Sequence, residues 1–176
     1  MIPLVDTSRF QLGPEEGLEG EELAEELSDL AISEAAIRDY LVSRSWTPPV
    51  KDVLLAYGVG SILCLYLVRF LEPLPDGDME RWFVVGDIPR MNFETEDAPT
   101  PAIALDLYCA IAQDWADRVL KGEDLSESYP IEAPPTRGNA ELLLSRIEFI
   151  REKLIPLAEK HGVMPGDRDG PGDAGL

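Results

Sequence analysis

Apolar residues return every third or fourth position along several stretches of this chain and crowd together along two others. Leu23, Leu27 and Leu30 mark one thin stripe, so Gly20–Ala31 reads as a helix whose remaining faces are acidic. Ser33 stands where an N-cap belongs, and a second helix is expected over Glu34–Arg44 with Ile37, Tyr40 and Leu41 inward. Thr47-Pro48-Pro49 stops it, because proline lacks an N–H and restricts the residue before it. Over residues 50–60, Val50, Val53, Leu54 and Tyr57 fit a helical face while Gly58 and Gly60 break it. A short helix or an irregular approach to the next strand is the expectation there.

Residues 61–71 are rich in strand formers and apolar on both faces, which predicts a central strand. Glu72–Asp78 is turn chemistry, and Arg81–Gly86 returns as a second strand, giving a hairpin with a long loop that Ile88-Pro89 ends. Residues 91–99 are polar with room for one short strand. Thr100 as N-cap and Pro101 at the first helical position open a strong helix. Ala104, Leu107, Tyr108, Ile111, Trp115 and Val119 mark its buried face, and Lys121-Gly122 closes it. An acidic, proline-rich connector follows over 123–136, with a short extended piece at Tyr129–Glu132. The last helix starts near Asn139, carries Leu143, Ile147, Ile150, Leu154 and Leu157, and should kink at Pro156.

The expected fold class is α+β: a β-hairpin or small antiparallel sheet packed against about four helices. Residues 1–14 read as an N-terminal arm and 15–162 as a single α+β domain. Within that domain lie the acidic helical part (15–45), the hairpin (61–88) and the helices 100–122 and 139–161. Residues 163–176 have the composition of a disordered tail.

Charge changes the picture most. The chain holds 34 Asp and Glu against 15 Lys and Arg, a net charge of -19, yet 45% of its residues are hydrophobic. So much apolar content supports a core, and the acid is therefore a property of a folded surface. From Gln11 to Ile37 there are nine acidic residues and no basic one, supplying -9 of the -19. Such a surface repels nucleic acid and acidic membranes and attracts basic proteins. The predicted partner-binding residues are Glu19, Glu22, Glu25, Glu26 and Asp29, dense on one helix. Met1–Gln11 contains Asp6 and Arg9 and lacks the apolar run of a secretory leader. The best apolar run, Ile62–Val68, has seven residues, against roughly 18–20 for a membrane helix. A cytoplasmic protein without membrane contact is expected. Cys64 and Cys109 lie among apolar neighbours, as buried reduced thiols do.

Catalytic chemistry has little to stand on. The one histidine, His161, ends a helix beside a glycine, whereas a nucleophilic site needs a histidine held between nucleophile and orienter. Two separated cysteines and one histidine exclude an ordinary zinc site. The runs Asp76–Glu80 and Asp167–Asp173 alternate oxygen ligands but lack an EF-hand's length and final glutamate, and they read as turn and tail. Neither a GxGxxG nor a P-loop lysine is present, so no cofactor is expected. Asp114 and Asp117 flank Trp115 beside Arg118 and read first as a solvated helix face. Gly86-Asp87-Ile88-Pro89-Arg90 is the most unusual local feature. Asp87 is expected to accept backbone donors or to pair with Arg90, as a capped strand end or a ligand site. Trp46, Trp82 and Trp115 are read as core, with room for one at an interface.

The segment from about Ile62 to Leu157 carries Gly86-Asp87-Ile88-Pro89, Pro101, Ala104-Leu105, Trp115 and Lys121-Gly122-Glu123 in order. On these residues it resembles a family of small uncharacterised bacterial proteins, over just over half the chain. The resemblance implies an α+β domain and a bacterial origin, and brings no catalytic residues. In size and acidity the chain is also similar to immunity proteins that neutralise bacterial toxins, a likeness of character without a motif. The expected function is a non-enzymatic acidic binding protein, most sharply an immunity-type inhibitor occluding a basic toxin or nuclease. Two alternatives stand beside it. One is a small enzyme or ligand-binding protein using Asp87, Arg90 and the Asp114/Asp117 face. The other is a subunit of a larger assembly, docking through Ile147, Ile150 and Leu154.

Overall fold

The computed structural model describes residues 5–6, 21–60 and 62–161. In chain order the elements are β1 (Val5–Asp6), α1 (Glu21–Val42), β2 (Val50–Val59), β3 (Leu63–Phe70), β4 (Glu80–Gly86), β5 (Met91–Glu94), α2 (Pro101–Lys121), α3 (Arg137–Phe149), a π-helical turn (Ile150–Leu154) and α4 (Ile155–His161). Strands β2 to β5 form an antiparallel meander in sequence order, and β1 adds to β2 in parallel at Val53 and Leu54. The class is α+β. The N-terminal arm and the C-terminal tail expected from composition lie, apart from β1, outside the described residues.

The alternation of strand side chains builds two cores on one sheet. Leu63, Leu65 and Leu67 of β3, Trp82 and Val84 of β4, and Met91 and Phe93 of β5 face α2, α3 and α4. Cys64, Tyr66, Val68 and Phe70 of β3, with Phe83 and Val85 of β4, face Leu30, Ile37, Tyr40 and Leu41 of α1. Central β3 is covered on both sides, as its continuous apolar run requires.

Two expectations for residues 20–60 are corrected here. Residues 50–60 are a strand. Their helix-like spacing arises from two register shifts: Val50 pairs with Phe70 and Asp52 with Arg69, leaving Lys51 extra, and Leu55 pairs with Tyr66 and Tyr57 with Leu65, leaving Ala56 extra. Both break the period of two, and the second places Ala56 in the core shared with α2 and α3. The two expected N-terminal helices are one, so the described residues hold three helical bodies in place of about four. Ser33 does not cap a helix; it is buried, and its hydroxyl bonds the Tyr66 hydroxyl at 2.6 Å across the α1–β3 interface. A polar group buried without a partner costs about 1–3 kcal/mol, and this pairing removes that penalty inside the core.

α2 begins and ends as its sequence dictates. Thr100 accepts a hydrogen bond from the Ile103 N–H, Pro101 opens the first turn, and Gly122 closes the helix in the left-handed region. The final helix keeps Leu143, Ile147, Ile150 and Leu154 inward. Its N-terminus starts at Arg137 behind Thr136, whose side chain accepts from the Asn139 N–H. The disturbance expected at Pro156 takes the form of the π turn, where the Ile155 N–H reaches back five residues to the Ile150 carbonyl. That wide turn advances the buried stripe by one position. Ala158 is buried and Leu157, expected inward, is 45% exposed. Tyr129–Glu132 joins no strand.

Candidate functional site

The Gly86–Arg90 segment is a strand end held from three sides. Gly86 adopts φ +143°, which lets its backbone lie against Ile62 and Leu63. The Asp87 N–H donates to the Ile62 carbonyl at 2.9 Å, and the Tyr108 hydroxyl donates to the Pro89 carbonyl at 2.9 Å. From α3, Arg146 donates to Asp87 Oδ2 at 2.8 Å. The expected pairing of Asp87 with Arg90 is therefore replaced by Asp87 with Arg146, fifty-nine residues away.

Beside this segment lies a pocket of about 160 Å³. Ile88, Pro89, Trp115, Leu142 and Leu143 form its apolar walls, and Asp87 and Arg146 stand on its lining as the charged pair. Trp115 is nearly fully buried, and Leu142 is 56% exposed. Neither Arg90 nor the Asp114/Asp117 pair lines this pocket. Asp114 is exposed and bound to Arg118 at 3.0 Å one helical turn away, which is the solvated-face arrangement its spacing suggested.

Arg90 belongs to a second cluster that the sequence concealed. It bonds Glu132 at 2.9 Å and Asp39 at 3.2 Å, and its guanidinium sits 4.7 Å from the centre of the Tyr40 ring. Arg44 joins the same Glu132 carboxylate and lies 4.9 Å from the same ring. Tyr40 also accepts a hydrogen bond from Asn92 at 2.9 Å. Burial raises its phenol above the ordinary range, against the lowering effect of that bond. The clasp ties α1, the start of β5 and the 123–136 connector together. Its members lie up to 93 positions apart, from Asp39 to Glu132, so no local spacing announces it.

Of the acidic residues assigned to partner binding, Glu19 lies outside the described residues, as do the side chains of Glu22, Glu25 and Glu26. The backbone places positions 22, 25 and 26 on the first turns of α1. Asp29 is half-buried, with its carboxylate beside the Gly60 turn. Among residues 28–42, the buried series of α1 begins only at Leu30.

Most arginine charge among the described residues is consumed internally. Every arginine from Arg38 to Arg146 has a carboxylate within 4 Å. Among the described residues no group of three or more His, Cys, Asp or Glu is placed to hold a metal ion. Cys64 and Cys109 are buried free thiols, and Trp82 is buried with its indole N–H donating to the Ala98 carbonyl at 2.8 Å. Trp46 departs from the core expectation: it is 39% exposed, with Arg81 over its ring. Ile147, Ile150 and Leu154 are each 2% exposed, which removes them as a docking face. No helix among the described residues is long and apolar enough to cross a membrane.

No family model matches the chain, and neither a curated protein nor a solved structure does.

Proposed function

We propose that this chain is a non-enzymatic acidic binding protein that occludes a basic partner, in its sharpest form an immunity-type inhibitor seated on a toxin or nuclease. The observation that carries the proposal is the disposition of charge. A net -19 is spread over a chain whose arginines, from Arg38 to Arg146, are already paired with its own carboxylates. The surplus carboxylates then set the sign of the field that an approaching protein meets. The first turns of α1 concentrate that field, and attraction of this kind raises the association rate and discriminates against acidic partners. Screening over roughly 8 Å at physiological ionic strength makes such steering salt-sensitive. The bacterial origin implied by the resemblance of residues 62–157 belongs to the same proposal.

The enzyme alternative loses support from the geometry, because Asp87, Arg90 and Asp114 stand in three separate ion pairs. The test is affinity capture from the native host at low and high salt, with the chain and with a Glu22→Lys, Glu25→Lys, Glu26→Lys variant. One stoichiometric basic protein, weakened by salt and lost by the variant, is the expected result, followed by neutralisation of that protein's activity. Capture indifferent to both salt and charge reversal would overturn the proposal.

A further inference from the structure

We propose that the pocket at the end of β4 is an anchor for one apolar side chain of the partner, next to a lysine or arginine that pairs with Asp87. The inference rests on the acidic-binding proposal above and names the chemistry that the surface grips.

Size decides the class of occupant. At about 160 Å³ the pocket is well below the roughly 300–1,000 Å³ that encloses a small-molecule ligand. It suits a single aliphatic or aromatic side chain, the kind of anchor that fills a pocket at the centre of a protein interface. Its walls are preformed. Trp115 comes from α2 and Leu143 from α3, and Ile88 sits in a turn pinned by the Ile62 carbonyl and the Tyr108 hydroxyl. A rigid recess loses little ordering entropy when it is filled. Leu142 extends the apolar wall into solvent, 56% exposed, where a partner would cover it.

Charge decides the neighbour of that side chain. The Asp87 side chain is 67% exposed, and its bond to Arg146 is made through Oδ2. A carboxylate offers about four lone-pair sites, so capacity remains for a second cation arriving from solvent. Asp87 and Arg146 cancel each other at the rim, so the -19 of the whole chain is what tips it toward lysine or arginine and against glutamate or aspartate.

Three short synthetic peptides test this on the full chain: a leucine between lysines, a glycine between lysines, and a leucine between glutamates. The readout is the Trp115 indole resonance in nitrogen-labelled protein. The lysine–leucine peptide should shift that resonance saturably and bind roughly ten- to hundredfold tighter than its glycine counterpart, the range expected for burying one aliphatic side chain. The glutamate–leucine peptide should bind weakest, and Asp87→Asn should narrow its gap to the lysine–leucine peptide. Ala133→Leu, which fills the pocket from the half-buried connector, should erase the leucine advantage. Because the wild-type peptide series needs no substitution, the proposal stays testable if that variant fails to fold. Equal, salt-sensitive binding of the two lysine peptides with Trp115 unmoved would overturn the pocket and leave the acidic-binding proposal standing. Lysine peptides that bind no better than the glutamate peptide would overturn both. A Trp115 shift that grows with protein concentration alone would assign the pocket to a second copy of this chain and end the inference.

Discussion

Replacing Gly86 by alanine should be among the most damaging single-methyl changes in this protein. A Cβ at this position would stand 2.3 Å from the Ile62 carbonyl oxygen, 2.8 Å from the Ile62 carbonyl carbon and 2.9 Å from the Leu63 Cα. All three are backbone atoms at the start of β3, so no side-chain rotation relieves the overlap. The residue also holds φ +143°, a region that costs a side-chain-bearing residue about 1–3 kcal/mol. Overpacking adds about 1–3 kcal/mol more. A total near 4 kcal/mol is a large share of the roughly 5–15 kcal/mol that holds a domain folded. It corresponds to a fall in Tm of roughly 8–16 °C for a chain of this size. Gly77→Ala is the internal control, because Gly77 also has positive φ, +95°, but a Cβ there meets nothing within 4 Å. Thermal and urea unfolding of both variants, followed by circular dichroism, separates the dihedral from the contact. The reasoning is refuted if Gly86→Ala loses no more stability than Gly77→Ala.

Ser33→Ala should cost about 1–3 kcal/mol by leaving the buried Tyr66 hydroxyl without its partner. The double variant with Tyr66→Phe should recover part of that loss, and strict additivity in urea titrations would show that the two hydroxyls do not couple. Burial pushes the Cys64 thiol up to about 11 and the Cys109 thiol up to about 12 from an ordinary 9.0. Both keep their protons in the folded chain when unfolded thiols have lost them. This contribution is whole below pH 9 and is lost as pH rises through 11 to 12, with Tyr66 and Tyr108, also raised by burial, extending the decline above 10. A urea midpoint that stays flat across that window would contradict it. Glu132→Gln removes the carboxylate that Arg44 and Arg90 share above Tyr40. With all three side chains about one-third exposed, a loss of about 1 kcal/mol is expected. The loss should shrink at high salt, and the same loss at both salts would argue against an electrostatic clasp.

How much of this was legible in the sequence depended on whether the signal was local. The Thr100-Pro101 start and Gly122 end of α2 are fixed by residues within a turn of each boundary, and the structure reproduces both. The β3–β4 hairpin was legible because an apolar run, a turn and a second run follow one another directly. β2 is hidden because its register shifts at Val50–Asp52 and Leu55–Tyr57 create helical spacing inside a strand. Ser33 misled for a related reason: a serine after an apolar stripe is the vocabulary of a cap, and only Tyr66, 33 residues on, reveals it as a buried partner. At the candidate site, Gly86–Pro89 stood out locally. Arg146, Tyr108 and Trp115, which complete it, come from α2 and α3 and carry no mark of their destination.

The strand order has a consequence for how the protein is made. Each strand from β2 to β5 pairs only with its sequence neighbours, so the sheet closes through short connections whose entropic cost grows slowly with length. A ribosome delivers α1 before this meander and α2 to α4 after it. The face built on Cys64, Tyr66 and Phe83 can therefore be covered as soon as its strands emerge. The opposite face, with Leu65, Trp82 and Met91, stays open to water until α2 and α3 have been synthesised. During that interval the nascent chain is one-sided, and its exposure to misassociation lies on the face that the completed molecule conceals most thoroughly.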